Sequence, residues 1–149
     1  MSNAGIIDRT RAALVKRFRD TWGTASPPAA LPLVAFEMPN KKFARPDGKP
    51  WGRLSIVFSG RENAAVGGLR VRIRGMLYVQ VFTPEGDGTK VLTDAGDALA
   101  AVFDNVTIPH ATGPGNVVCQ AVDISATGSR EGYEQMTYAV PFYSDDNRP

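Results

Sequence analysis

The stretch Arg70-Val71-Arg72-Ile73-Arg74-Gly75-Met76-Leu77-Tyr78-Val79-Gln80-Val81-Phe82-Thr83 decides the fold. Val71, Ile73, Leu77, Val79 and Val81 recur at every second position, while Arg72, Arg74, Met76, Tyr78, Gln80 and Phe82 fill the positions between them. A period of two is the signature of a β-strand, because successive side chains point to opposite faces. One face is uniformly apolar and must meet a second layer. The other mixes arginine with aromatic residues and Met76. Such a face is amphipathic and invites a covering partner.

Working outward, residues 51–59 alternate in the same way, with Leu54, Ile56 and Phe58 opposed to Arg53, Ser55 and Val57. Between these two strands lies Gly-Arg-Glu-Asn-Ala-Ala-Val-Gly-Gly-Leu, residues 60–69, which reads as a mobile loop because its glycines are costly to order. Residues 84–88, Pro-Glu-Gly-Asp-Gly, supply turn chemistry. A helix is predicted over 89–103, with Leu92, Ala95, Leu99, Val102 and Phe103 as its apolar stripe. Another is predicted over 5–22, with Ile7, Leu14, Phe18 and Trp22 on one side and Gly23 as the stop. Residues 24–32 form a Pro-rich connector. Short strands are expected at 33–36 and 106–108. Longer ones at 117–126 and 134–143 are joined through a loop over 128–132. The loop 109–115 carries His110, read as a surface residue, and 144–149 reads as a frayed tail.

The helices are too few for a doubly wound parallel sheet. The expected fold is α+β: an antiparallel or mixed sheet of about four to six strands with two helices on one face. The chain has 149 residues, which suits a single domain spanning 1–149, with residues 2–4 given no weight as a possible cloning remnant. At 43% hydrophobic and 21% charged it has a globular composition, and a domain of this size buries enough surface to need no staple.

The net charge of +2 does not argue for a polyanion partner by itself. Charge is segregated, however: Arg9, Arg11, Lys16, Arg17 and Arg19 lie near the start, Arg61, Arg70, Arg72 and Arg74 in the middle, and Asp145 with Asp146 near the end. This distribution suits contact between copies, basic helix against acidic pair. The residues singled out for an interface with other copies or another protein are Arg61, Arg70, Arg72, Arg74, Tyr78, Phe82, Asp145 and Asp146. A second reading makes Arg72, Arg74, Tyr78 and Phe82 a surface for single-stranded nucleic acid.

Chemistry is not visible. One histidine and one cysteine, Cys119, argue against zinc and exclude an intrachain disulfide. Cys119 shares a strand face with Val117 and Ala121 and reads as a small buried hydrophobe. There is no nucleophile elbow and no phosphate loop; Gly86-Asp87-Gly88-Thr89-Lys90 places an acid where phosphate would sit. Neither catalytic residues nor a cofactor is expected. No apolar run is long enough to span a membrane.

The order of segments also carries a resemblance. Trp51-Gly52-Arg53-Leu54, then the glycine-rich loop, then Arg74-Gly75 through Val79-Gln80-Val81-Phe82 to Pro84-Glu85-Gly86-Asp87-Gly88 and a helix resemble the phage tail terminator-like proteins of tailed phages and prophages (minor tail protein U-like). The likeness covers most of the chain. It implies a non-enzymatic virion tail protein, assembled in the bacterial host cytoplasm, that forms a ring with copies of itself. The expected ring is a hexamer on the head-proximal end of the tail tube. It stops polymerisation of the major tail tube protein and offers a surface to a head–tail joining protein. DNA would only pass through the lumen, and a ring of this kind needs head-to-tail contacts that close by rotation. A head–tail connector or neck protein of similar fold is the alternative.

Overall fold

The protein was analysed as a computed structural model that describes residues 5–21, 35–37, 44, 48, 50–63, 70–86, 90–110, 115–130 and 132–147. The elements run α1 (Ile6–Thr21), β1 (Ala35–Glu37), β2 (Trp51–Asn63), β3 (Arg70–Pro84), α2 (Lys90–Phe103), β4 (Thr107–Pro109), β5 (Asn116–Cys119), β6 (Asp123–Arg130) and β7 (Tyr133–Asn147). The fold is α+β, with seven strands in one sheet, slightly more than expected. Their order is β1-β2-β3-β7-β5-β4, and β6 also pairs with β7. All pairings are antiparallel except β1 with β2.

The decisive stretch is the central strand β3. It pairs with β2 on one side and, from Arg70↔Asn147 to Pro84↔Tyr133, with β7 on the other. Its apolar face, Val71, Ile73, Leu77, Val79 and Val81, is buried. Leu14 and Phe18 of α1, and Leu92, Ala95, Leu99, Val102 and Phe103 of α2, cover that face, joined by Leu54, Val117, Cys119, Tyr138, Val140 and Phe142. Each large side chain buried there stabilises the fold by roughly 1.5–3 kcal/mol. The helices are tied together where Arg17 Nε donates to the Val102 carbonyl at 3.0 Å, satisfying one of the open acceptors at the end of α2.

Six readings need correction. The buried stripe of α1 contains Ile6, Thr10, Ala13, Leu14 and Phe18, while Ile7 is 43% exposed. Thr10 turns inward because its hydroxyl finds partners there, and that shifts the helix by about one residue from the purely apolar stripe. Trp22, the connector 24–32 and residues 64–69 lie outside the described residues. Residues 60–63 are not loop: β2 crosses a bulge between Phe58 and Gly60 and pairs on to Asn63↔Val71. The strand expected over 117–126 is two strands. β5 and β6 meet β7 end to end, and the break between them is held by Val122 N–H donating to Asp104 Oδ1 at 2.6 Å. The hairpin loop is shorter than expected, since β6 reaches Arg130, opposite Tyr133. Gly132 takes a φ of +82°, as such a tight turn requires.

The fifth correction concerns residues 144–147, expected to fray. They belong to β7, and Ser144 is completely buried. His110, expected at the surface, is buried beside it, with Nε2 2.8 Å from Ser144 Oγ. Ser144 Oγ is also 2.8 Å from Thr10 Oγ1, which lies 2.6 Å from the Ile6 carbonyl. Thr10 has one hydroxyl proton and the carbonyl can only accept, so that proton goes to Ile6. Ser144 then donates to Thr10, and His110 Nε2–H donates to Ser144. This chain satisfies three polar groups that would otherwise be costly to bury.

Candidate functional site

The surface to explain is the face of the sheet opposite the helices. Registers place Trp51, Arg53, Ser55, Val57, Gly60 and Glu62 of β2 on it. Phe82, Gln80, Tyr78, Met76, Arg74 and Arg72 of β3 follow, and then Thr137, Ala139, Pro141, Tyr143 and Asp145 of β7. Among the described residues no helix lies on this side. Met76, Tyr78, Gln80, Pro141 and Tyr143 are half-buried and Val57 is 50% exposed.

Two ion pairs set its electrostatics. Arg72 grips Asp145 through Nε–Oδ1 at 2.7 Å and Nη2–Oδ2 at 3.0 Å, a fork geometry that favours a planar guanidinium. The guanidinium carbon also sits 4.3 Å from the centre of the Tyr143 ring. The bond to Asp145 raises the Arg72 pKa against the opposing effect of burial. Arg74 Nη2 lies 2.7 Å from Glu62 Oε1, with both side chains more than half exposed, so this second pair contributes little to stability. At the far end Trp51 and Phe82 stack with centroids 4.2 Å apart at 12°, and Arg53 lies 5.6 Å from the Trp51 ring centre. Trp51, Phe82, Thr137 and Ala139 are buried at this end, so the open part of the face carries Tyr78, Tyr143 and charges matched by neighbours. That combination suits a protein surface rather than a polyanion.

Comparison with known proteins gives the family. A model described as "Phage tail terminator protein" matches residues 9–141. The chain belongs to the phage tail terminator family. A solved structure overlays this chain with a TM-score of 0.70 at 22% identity, covering 96% of this chain and 97% of that one, a likeness of fold alone. No curated protein matches.

Within this chain, the residues singled out from sequence separate into groups. Arg72, Arg74, Tyr78 and Asp145 meet on the helix-free face. Phe82 shares the face but is buried, stacked on Trp51, which is buried as well. Arg61 is exposed but stands opposite Ile73, on the helix side of the sheet. Arg70 and Asp146 pair with Asn147 and Val71 in the register, and their side chains lie outside the described residues. Asp145, singled out as a contact for the basic helix of another copy, binds Arg72 of its own chain. Two basic residues of the helix also have acidic partners within it. Arg11 meets Asp8, and Lys16 meets Asp20, whose pKa the Lys16 hydrogen bond lowers. Sequence reading missed the Trp51–Phe82 stack and Glu62 as partner of Arg74. Both follow from register once β2 and β3 are known to pair through a bulge.

Among the described residues no group of three or more His, Cys, Asp or Glu side chains is arranged to hold a metal. Burial pushes the Cys119 thiol up to about 12, which makes it a poor nucleophile. Ser144 and His110 touch, but the serine is completely buried and its hydroxyl is engaged with Thr10. The contact is structural.

Proposed function

We propose that this chain ends the growth of a phage tail. Copies close into a ring, a hexamer by expectation, on the head-proximal end of the tube. The ring stops addition of tube protein and offers the surface to which the head joins. Its partners are its own copies, the tube protein and a head–tail joining protein, with DNA only passing through. Assembly takes place in the bacterial host, and the part played is structural rather than catalytic.

The observation that carries this reading is the one-sided sheet. A family member whose helices cover one face, and whose other face keeps Tyr78, Met76 and Tyr143 half-buried, has surface left for neighbours. The matched pairs Arg72–Asp145 and Arg74–Glu62 weigh against the nucleic-acid alternative, since they leave little unpaired positive charge there. Electron microscopy of the purified protein mixed with tail tubes tests the reading. A ring capping one end is expected. Uncapped tubes, together with a strict monomer in analytical ultracentrifugation at high concentration, would refute it.

A further inference from the structure

On the flank of the sheet beyond β7, two strands face outward, and they differ. β4 is three residues long and ends in Pro109, which blunts it against pairing. β6 spans Asp123–Arg130, contains neither proline nor lysine, and is exposed at Asp123, Ile124, Ser125, Thr127, Gly128 and Ser129. Ile124 is 59% exposed. An open edge of this length is a template for another strand. On the opposite flank, among the described residues, β1 covers only Trp51, Gly52 and Arg53 of β2. Past that point Val57, Ser59, Gly60, Arg61 and Glu62 are exposed.

Strand direction says which edge fits which. β2, β3, β7 and β6 alternate in direction, each antiparallel to the next. Rotation about an axis along the strands preserves direction, so the next copy's β2 would arrive antiparallel to β6. We propose that β6 of one copy pairs with β2 of the next, joining the sheets of successive copies. This rests on the ring reading above and names the edge through which the ring closes.

The register follows from geometry. Through Met136 and Val81, Thr127 is level with Gly52 of its own chain. There β1 would block a neighbour, so the next copy must slide along the strands. The slide must be an even number of residues, or the two faces would exchange. A slide of four sets Thr127 opposite Ile56, leaving only Arg130 level with the last residue that β1 covers. It also sets Ile124 beside Phe58, so the exposed Ile124 gains an apolar neighbour. Four residues are about 13 Å along a strand and four strands about 19 Å across, giving a tilt of about 35°. That is at the lower end of the tilt found in closed barrels, roughly 35–45°.

Cysteine cross-linking of the full chain tests this, because Cys119 is buried and leaves the background low. G128C and S55C variants, oxidised as a mixture with tail tubes present, are expected to give a disulfide dimer at least ~10-fold above either alone, since pairing raises the effective concentration. I124K, which puts a charge on the open edge, is expected to abolish ring assembly and leave the monomer's thermal midpoint unchanged. Dimers from G128C alone would mean two-fold pairing of β6 with itself and would overturn the proposal. So would no cross-link from G128C to position 55, 57 or 60 while the wild-type chain still caps tubes, an outcome that leaves the terminator reading standing. If wild type neither assembles nor caps and nothing cross-links, both fall.

Discussion

The two faces of β3 are made by one strand and obey different rules. Toward the helices Leu77, Val79 and Val81 are completely buried. On the other side Arg72, Met76, Tyr78 and Gln80 are only half-buried, and Arg74 is exposed. The first face holds the monomer together. The second is buried at one end, at Trp51 and Phe82, and at the other is held by the Arg72–Asp145 and Arg74–Glu62 pairs. A domain built this way can change its contact surface while keeping its fold.

The comparison is sharpest at Cys119, on the helix side. Its thiol should react with a disulfide reagent at pH 8 at least ~10³-fold more slowly in the native protein than in urea, because reaction requires unfolding. Comparable rates would mean that the covered face is open. The sign for stability follows from the raised pKa. The contribution of the protonated thiol is complete below its ordinary value of 9.0 and is lost as pH rises toward about 12. Next in size, Leu77→Ala should cost about 2–5 kcal/mol in urea unfolding, since it leaves a cavity under both helices. A loss below 1 kcal/mol would place Leu77 at a boundary rather than in the centre.

Ser144→Ala removes the middle of a buried hydroxyl chain and should cost about 1–3 kcal/mol. On the helix-free face the effects shrink. A double-mutant cycle with Arg72→Ala and Asp145→Ala should give a coupling of about 1 kcal/mol, somewhat above exposed pairs because both side chains are partly shielded. Zero coupling would remove the idea that this pair braces the surface. Smallest of all, Val57→Ser should stay within about 0.5 kcal/mol for the monomer while reducing ring formation in ultracentrifugation.

Much of the covered face was legible, because burial writes a period into sequence. The α2 stripe and the inward residues of β2 and β3 were all readable that way. What escaped depends on partners distant in the chain. Ser144, Asp145 and His110 look like tail and loop residues until Thr10 and Arg72 are brought beside them. Thr10 hid the true face of α1 because a hydroxyl carries no hydrophobic signal. Phe82 was placed on the correct side of its strand, but alternation could not reveal that Trp51 would cover it. The break between β5 and β6 left little trace, since Asp104 holds it from a different element.

β7 has a consequence for how the protein is made. It is the last of the described strands in the sequence, yet it lies at the middle of the sheet and pairs with β3, β5 and β6. While a ribosome is still reading α2, β3 lacks the neighbour that completes it, and Arg72 waits through synthesis for Asp145. The sheet therefore closes late, in one step that joins distant parts of the nascent polypeptide, and folding should be slow for a domain of this size. Copies should become competent to assemble only after translation has passed Asn147, so half-made chains would have no complete surface with which to poison a growing tail.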